Sequence, residues 1–233
     1  MEVLNIFKSV NGEVCQWGQG SWAVFVRFFG CSAQCHYCDT PYSWTKSENK
    51  SFKDMSVASI IDKIESYKTK RVVLTGGEPL EQDQAALLLL MTILQSKGYG
   101  LSIETNGLHD MSWVKHFLPK VSIVADIKLP SAGKNVYSKV NLKQYSILGP
   151  GDFIKCVISS TRDFKVALDS VAFINREKGS MFLPKFYFSP NVATMPPFTL
   201  FSLMLKHAPD TIGYNLQLHK TIFGDDWKKE EME

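Results

Sequence analysis

The sequence predicts an α/β fold, a partial (open) β/α barrel of about six parallel strands. Two observations lead to this prediction. Short runs rich in β-branched and aromatic residues alternate along the chain with segments of helical periodicity, which is typical of parallel βα units. Polar motifs follow nearly every one of these runs, and in a barrel the strand ends share the edge where active sites are built.

The strands and helices are expected in alternation. Runs with strand composition cover residues 22–28, 71–75, 101–104, 121–125, 153–158, 181–188 and 214–218. Apolar residues at helical spacing cover 56–67, 84–95, 111–117, 162–176 and 199–207. Asp54 or Ser56 is a suitable N-cap for the first of these helices.

The length, composition and net charge of the chain limit the classes of protein to which it can belong. The 233 residues, 45% of them hydrophobic, predict a single domain over residues 1–233, with a charged tail at 225–233 that frays. A net charge of +3 argues against a nucleic-acid-binding protein but allows a basic pocket for a small anion. No apolar run is long enough to span a membrane and no signal peptide is evident, so a cytoplasmic protein is predicted.

Three clustered cysteines carry the main chemical signal. Cys31, Cys35 and Cys38 form a C-x3-C-x2-C motif, and such crowding favours metal ligation over a disulfide scaffold. Three thiolates can each hold one iron of a [4Fe-4S] cluster, which leaves the fourth iron without a protein ligand. S-adenosylmethionine can chelate that iron through its amino and carboxylate groups, and an electron passed to its sulfonium cleaves a carbon–sulfur bond.

A zinc site is the alternative interpretation of the cysteines. Zinc prefers four nitrogen or sulfur ligands, and Cys15 or His36 could supply the fourth. Zinc sites more often contain paired C-x2-C knuckles, however, and the sequence has no second pair. The aromatic Tyr37, directly before Cys38, would cover the adenine of a bound nucleoside or simply pack within the loop.

The cysteine motif, with its aromatic residue before the last cysteine, resembles that of the radical S-adenosylmethionine superfamily. One strand later, Gly76-Gly77-Glu78-Pro79 is similar to the glycine-rich strand end of that superfamily. The resemblance implies a barrel with reduced helices, in which Gly77 and Glu78 hold S-adenosylmethionine.

Within the superfamily, the chain resembles the 7-carboxy-7-deazaguanine synthase family over nearly its whole length. The matching motifs are S-V-N-G-E at 9–13, F-V-R-F-F-G-C at 25–31, C-D-T at 38–40, T-G-G-E-P at 75–79, E-T-N-G at 104–107, D-I-K at 126–128 and Q-L-H-K at 217–220. Asn11 and Val14 depart from the glutamine and glycine usual in the family. That family converts 6-carboxy-5,6,7,8-tetrahydropterin to 7-carboxy-7-deazaguanine, a precursor of queuosine-type bases, by radical ring contraction with loss of ammonia and with help from Mg²⁺.

The resemblance implies roles for individual residues. The pterin would contact Val10, Asn11, Gly12, Glu13, Arg27, Thr75 and His219. S-adenosylmethionine would contact Tyr37, Cys38, Asp39, Gly77, Glu78, Asp126, Ile127, Lys128, Ser189, Pro190 and Asn191. Thr40 would ligate Mg²⁺, with a helix cap before Pro41 as the alternative, and Asn11-Gly12 could also form a simple β-turn.

The expected partners follow from the same resemblance. It implies a homodimer, and the need for single electrons implies a flavodoxin or ferredoxin as electron donor. Two other functions stay open at this stage. One is a radical S-adenosylmethionine activase that acts on a protein partner, as glycyl-radical-enzyme activases do. The other is a zinc-stabilised binding module without turnover.

Overall fold

The computed structural model describes residues 1–45, 52–179 and 182–224, and these form one nine-stranded sheet with seven helices. The strands are β1 Glu2–Val10, β2 Trp22–Phe28, β3 Lys53–Asp54, β4 Arg71–Gly76, β5 Gly100–Thr105, β6 Ser122–Asp126, β7 Phe153–Ile158, β8 Lys185–Pro190 and β9 Ile212–Tyr214. The helices are α1 Val57–Glu65, α2 Gln84–Ser96, α3 Ser112–Phe117, α4 Lys134–Tyr137, α5 Thr161–Lys178, α6 Pro197–His207 and α7 Leu218–Phe223.

The sheet is parallel over most of its width. Its strand order is β3-β1-β2-β4-β5-β6-β7-β8-β9, and every neighbouring pair from β2 to β9 is parallel. Only β1 and β3, at one edge, pair antiparallel. The predicted open, mostly parallel α/β architecture is confirmed, with seven parallel strands among the described residues instead of about six.

The main core lies between the helices and one face of the sheet. Val24, Val26 and Phe28 alternate along β2 toward this core, as the twofold repeat of a strand requires. Helix α1 adds Ile60, Ile61 and Ile64, and the hydroxyl of Ser56 accepts from the Ser59 amide, so Ser56 is the N-cap. The helices therefore cover one face and leave the other face free for polar residues.

Several elements differ from the sequence-based expectations, among them helices α4 and α7, which were not predicted. Strands β1 and β3 were not predicted; β1 combines exposed, intermediate and buried positions without the clean alternation of a half-buried strand. The last strand ends at Tyr214 and not at 218, because Leu218 begins α7 and donates its amide to the Gly12 carbonyl (3.0 Å). Residues 225–233, predicted to fray, lie outside the described residues.

Candidate active site

A cavity of about 250 Å³ opens at the carboxyl ends of the parallel strands. The three motif cysteines line one part of it, and polar residues from β2, β4, β5, β6 and β7 line another. The N-terminal loop and the chain after β9 supply further lining. The predicted convergence of distant strand ends on a single pocket is therefore what the structure contains.

A row of polar side chains crosses the sheet face beneath this cavity. Arg27 and Thr75 are paired in register on β2 and β4. Thr75 donates to Glu104 Oε2 on β5 (2.8 Å). Farther along, Asp126 on β6 pairs with Lys155 on β7. Strand register alone thus aligns cationic and anionic side chains along the cavity floor.

The positive charges of Lys155 and Lys128 compensate the negative charges of the carboxylates in the cavity. Lys155 Nζ lies 3.1 Å from Glu13 Oε1 and 3.5 Å from Asp126 Oδ1, and Lys128 Nζ lies 2.6 Å from Asp126 Oδ2. Burial alone would raise the pKa of Asp126, but the two lysines outweigh burial and lower it. Burial opposes the charge of Lys155 as well, and Asp126 and Glu13 nevertheless raise its pKa. The cavity therefore holds paired, ionised groups.

Glu13 joins the two ends of the open barrel. Its carboxylate accepts from Asn215 Nδ2 (2.6 Å) and from Gln217 Nε2 (2.9 Å), in addition to its ion pair with Lys155. Asn11 Oδ1 accepts from the Glu13 amide (3.3 Å), a local side-chain-to-backbone bond, and no β-turn is assigned at Asn11-Gly12. The Nδ2 group of Asn11 is buried and has no hydrogen-bond partner in the described part of the chain. A buried, unpaired donor in a cavity wall is suited to a ligand acceptor.

The cysteine loop fits a cluster that is held by three thiolates. Cys31, Cys35 and Cys38 are free, half-buried and on the same cavity wall. Trp44 Nε1 lies 3.3 Å from Cys38 Sγ, and Asn106 Nδ2 lies 3.7 Å from Cys31 Sγ. Burial raises the pKa of Cys31 and Cys35, so cluster binding must displace their protons. Donors directed at sulfur are a known means of tuning such clusters.

Cys15, one of the two candidates for a fourth zinc ligand, is engaged elsewhere. Cys15 Sγ donates to the Gly18 carbonyl (3.3 Å) within its own buried loop. Among the described residues, no three His, Cys, Asp or Glu side chains converge closely enough to hold a single ion. A zinc site needs four ligands around one point, whereas a cubane spreads its three cysteines over a wider span.

The glycine pair at the end of β4 is required by packing of the chain on itself. Gly76 has φ +124°, and a Cβ on Gly77 would lie 1.8 Å from the Gly30 carbonyl oxygen. The Gly77 amide donates to the Phe28 carbonyl (2.8 Å) and the Glu78 amide to the Gly30 carbonyl (2.7 Å). Because Gly30 directly precedes Cys31, these contacts fix the cysteine loop beside the glycine-rich turn.

Glu78 is fully buried and does not line the cavity. Its carboxylate accepts from the Leu80 amide, the Thr105 hydroxyl and the Asn106 amide (3.0, 2.7 and 2.7 Å). It therefore joins the strand ends of β4 and β5. These hydrogen bonds hold the strand ends together, and the contact of Glu78 with S-adenosylmethionine expected from the sequence remains a prediction.

Apart from His219, the remaining sequence-predicted residues divide into two groups. Those that line the cavity are Val10, Asn11, Gly12, Glu13, Arg27, Cys31, Cys35, Tyr37, Cys38, Asp39, Thr40, Thr75, Gly77, Asp126, Lys128 and Asn191. Three others, Ile127, Ser189 and Pro190, are buried beneath it and are not part of its wall. The side chain of His219 lies outside the described part of the structure.

Comparisons with known proteins agree with this geometry. A family model described as the Radical SAM superfamily matches residues 25–127. The chain is 33% identical over 222 residues to the 7-carboxy-7-deazaguanine synthase of Clostridium acetobutylicum, over 95% of this chain and 96% of that one. It is 32% identical to the Methanospirillum hungatei protein of the same name, over 80% of this chain and 73% of that one. The chain belongs to the 7-carboxy-7-deazaguanine synthase family.

The fold agrees with membership of the synthase family, and this membership implies two cofactors. The crystal structure of QueE from Escherichia coli superposes with a TM-score of 0.71 at 21% identity, over 93% of both chains, which shows the shared fold. Radical SAM enzymes carry a [4Fe-4S] cluster and use S-adenosylmethionine, and the cysteine wall of the cavity fits that cluster.

None of the helices in the described ranges is long and apolar enough to cross a membrane.

The structure identifies further site residues of this synthase-family chain, to which the sequence assigned no role. Lys155 and Glu104 line the cavity, and Asn215 is buried against Glu13. A signal for Lys155 was present, since a lone lysine in the run F-I-K-C-V-I of a central parallel strand has no solvent to reach. Asn215 had no comparable signal, because its contact with Glu13 spans 202 residues of sequence.

Glu104 should make the stability of this synthase-family chain depend on pH. Burial, with a smaller contribution from Glu13, raises its pKa from 4.5 to about 7, although Lys155 and the Thr75 hydroxyl oppose the shift. The folded chain thus keeps this proton to a higher pH than the unfolded chain. The free energy of unfolding should therefore decrease as pH rises from about 4.5 to about 7.

The Glu104→Gln variant tests this dependence, because glutamine still accepts from Thr75 and has no proton to lose. Its stability relative to wild type should increase by about 1–3 kcal/mol between pH 5 and pH 8. The measurement is the unfolding midpoint across this range, without substrate or S-adenosylmethionine. Parallel profiles for the two proteins would show that Glu104 titrates near its ordinary pKa.

Proposed function

We propose that this chain converts 6-carboxy-5,6,7,8-tetrahydropterin to 7-carboxy-7-deazaguanine, in the biosynthesis of queuosine-type 7-deazapurines. The observation that carries the proposal is the composition of the cavity. The wall with Cys31, Cys35 and Cys38 faces the same space as Glu13 and the polar row that contains Arg27. A cluster site and a site for a small, carboxylated heterocycle are thus joined in a cavity of about 250 Å³.

Arg27 is suited to bind the carboxylate of the pterin. Its side chain is buried, and its guanidinium lies 5.8 Å from the ring centre of Phe7 and 6.0 Å from that of Tyr42. These rings limit its motion and exclude water. A planar, always-charged fork held in this way can donate two parallel hydrogen bonds to a carboxylate.

Asn11 and Glu13 are suited to the guanidine-like edge of the pterin. The Glu13 carboxylate is held by Asn215, Gln217 and Lys155, which fix its direction and leave lone pairs for further donors. Asn11 Nδ2 offers a buried donor to a ligand oxygen or nitrogen. Paired N–H donors of a ligand would meet a carboxylate acceptor there, as the substrate requires.

S-adenosylmethionine would lie between the cysteine wall and the ends of β4, β6 and β8. Gly77, Asp126, Lys128 and Asn191 line this part of the cavity. The Tyr37 hydroxyl is buried and has no hydrogen-bond partner within the described ranges. When bound, the cluster and S-adenosylmethionine together supply the radical chemistry, while the residues above bind and orient the two molecules. Glu78, Ser189 and Pro190 support them from beneath.

Magnesium dependence belongs to the same proposal. Thr40 lines the cavity and makes no side-chain cap bond to the turn at Pro41–Ser43, so the cap alternative for its hydroxyl does not describe this structure. Mg²⁺ takes oxygen ligands and retains several waters, and one threonine hydroxyl together with substrate oxygens is a suitable set.

Thr40→Ala should raise the Mg²⁺ concentration needed for half-maximal turnover about tenfold, because one ligand worth roughly 1.4 kcal/mol is lost. Thr40→Ser, which keeps the hydroxyl, should resemble wild type. Both are checked by titrating turnover with MgCl₂. Superimposable curves for wild type and Thr40→Ala would show that Thr40 is not a Mg²⁺ ligand.

The proposal is tested by anaerobic incubation with a reductant, S-adenosylmethionine, Mg²⁺ and 6-carboxytetrahydropterin. The expected products are ammonia and 7-carboxy-7-deazaguanine, which together account for every atom of the pterin, and deoxyadenosine forms where cleavage of S-adenosylmethionine is not coupled to product. Deoxyadenosine without the deazaguanine would refute the substrate and favour the activase alternative. The proposal also includes a homodimer, from the family resemblance, a flavodoxin or ferredoxin as electron donor, from the need for single electrons, and the cytoplasmic location expected from the sequence.

A further inference from the structure

Lys155 is a charged residue in the interior of the sheet. It lies in the interior parallel strand β7, between Ile154 and Cys156, which are both buried. Only 12% of its side-chain surface is exposed, and this surface lines the cavity. Lysine is rarely buried to this extent unless its amino group is paired with acids. The partners of Lys155 therefore indicate its role.

The amino group of Lys155 contacts two acids that belong to different parts of the cavity. Its Nζ atom lies 3.1 Å from Glu13 Oε1 and 3.5 Å from Asp126 Oδ1. Glu13 is in the N-terminal loop, in the region proposed above for the pterin. Asp126 ends β6, in the region proposed for S-adenosylmethionine. One lysine thus connects the two proposed binding regions.

The neighbouring acids keep Lys155 positively charged. Burial and the repulsion from Lys128 would each lower its pKa. The acids that raise the pKa of Lys155 above its usual value, and so outweigh both effects, are Asp126, Glu13 and Glu104. Lys155 therefore keeps its proton across the neutral range, and it acts as a fixed cation and not as a proton donor or acceptor.

The sheet fixes the position of this cation. Lys155 and Asp126 are paired in register between β7 and β6, and the Ile127 amide donates to the Lys155 carbonyl (2.9 Å). Glu13, in contrast, lies in the loop between β1 and β2. A side chain on a regular strand is held more precisely than one on a loop. The strand lysine can therefore set the direction of the loop carboxylate.

The two acids depend on Lys155 to different extents. Asp126 has a second cation, because Lys128 Nζ lies 2.6 Å from its Oδ2 atom. The other partners of the Glu13 carboxylate in the described part of the chain are two neutral side-chain amides, those of Asn215 and Gln217. Without Lys155, Asp126 would still be in an ion pair, whereas Glu13 would keep hydrogen bonds to neutral donors. The loss should therefore fall mainly on Glu13.

We propose that Lys155 is a positioning residue for the substrate, which directs the Glu13 carboxylate toward the pterin and joins it to Asp126 on the S-adenosylmethionine side. This rests on the proposed function, in which Glu13 binds the guanidine-like edge of the pterin. Charge-assisted contacts in a water-poor cavity hold a carboxylate more firmly than neutral hydrogen bonds do. Lys155 makes its contribution through Glu13, and no bond forms or breaks at its amino group.

The test is a double-mutant cycle on the protein with its cluster loaded and oxidised, so that ligands bind without turnover. The three variants are Lys155→Met, Glu13→Gln and the combination of both. Methionine is unbranched and flexible, so it can fill the space of the lysine stem without its charge. The first readouts are the dissociation constants for 6-carboxytetrahydropterin and for S-adenosylmethionine, measured separately by anaerobic calorimetry. The second is the unfolding temperature of each variant without ligand.

Lys115→Met is the matched control. Lys115 Nζ lies 2.5 Å from Oδ1 of the buried Asp152, and neither residue lines the cavity. The variant thus also loses an ion pair with a buried carboxylate, at a place remote from the ligands. It should unfold at a lower temperature than wild type and bind both ligands normally.

We expect Lys155→Met to weaken pterin binding about 30-fold and S-adenosylmethionine binding no more than about threefold. The double variant should bind the pterin as Glu13→Gln does, within about twofold, because both changes remove the same interaction. It should also unfold at a higher temperature than Lys155→Met, since it leaves no carboxylate at residue 13 without its cation.

Three results would overturn the positioning role of Lys155. One is a pterin affinity in the double variant that is lower than that of Glu13→Gln by the full effect of Lys155→Met. The others are equal weakening of both ligands in Lys155→Met, and loss of pterin binding in Lys115→Met. Absence of pterin binding in wild type would instead refute the proposed function. In that case a double variant no more stable than Lys155→Met would still show that Lys155 does not act through Glu13.

Discussion

Replacing Cys35 with serine is expected to abolish both cluster binding and cleavage of S-adenosylmethionine. Cys35 lies on the cavity wall between the other two motif cysteines, and its pKa responds to both. A [4Fe-4S] cluster is held by thiolates, and a serine hydroxyl is a poor substitute. Iron in anaerobically purified protein should fall from about four per chain to less than about one, and deoxyadenosine formation should fall to background.

Cys15→Ser is the matched control for this loss. A serine at this buried position can still donate to the Gly18 carbonyl, as the thiol does. The variant should keep its full complement of iron and sulfide and its activity. Stoichiometric zinc without iron in wild type would favour a zinc site over the iron–sulfur cluster. Loss of metal in Cys15→Ser as severe as in Cys35→Ser would do the same.

Replacing Arg27 with alanine is expected to impair pterin turnover while the cluster still assembles. Loss of a charge-assisted contact worth about 3 kcal/mol should lower kcat/KM for the pterin about 100-fold. Arg27 belongs to the polar row of the cavity, whereas Cys31 and Cys35 pack with the apolar group of Ala33, Ala132 and Val136. Iron content should therefore equal that of wild type.

Two further variants sharpen the result for Arg27. Arg27→Lys keeps the charge and loses the planar fork, so its kcat/KM should lie between those of Arg27→Ala and wild type. Arg71→Ala removes an exposed arginine at the opposite end of β4 and should be neutral. A loss of iron in Arg27→Ala equal to its loss of turnover would contradict a role in substrate binding.

The sequence alone predicted the parts of the site that depend on local pattern. Alternating βα segments predicted the parallel sheet, and the spacing of Cys31, Cys35 and Cys38 predicted an open-iron cluster. The polar strand ends predicted that Thr75, Glu104 and Asp126 converge, since parallel strands share one carboxyl edge, and the role of Arg27 came from the family resemblance. These inferences need only the period of each segment and its order along the chain.

The tertiary structure decided which residues face the cavity and which support it. Glu78 is in the motif, yet its carboxylate is used by Thr105 and Asn106, because β4 and β5 end side by side. Lys155 became a central partner of Glu13 and Asp126 through strand register.

The same is true of contacts between distant segments. Asn215 reaches Glu13 and α4 covers the cysteine loop only because the chain folds back across long sequence separations. The spacing of the three cysteines within their own loop is visible directly in the sequence. The side chains that surround the cysteines depend on long-range packing, which local pattern does not encode.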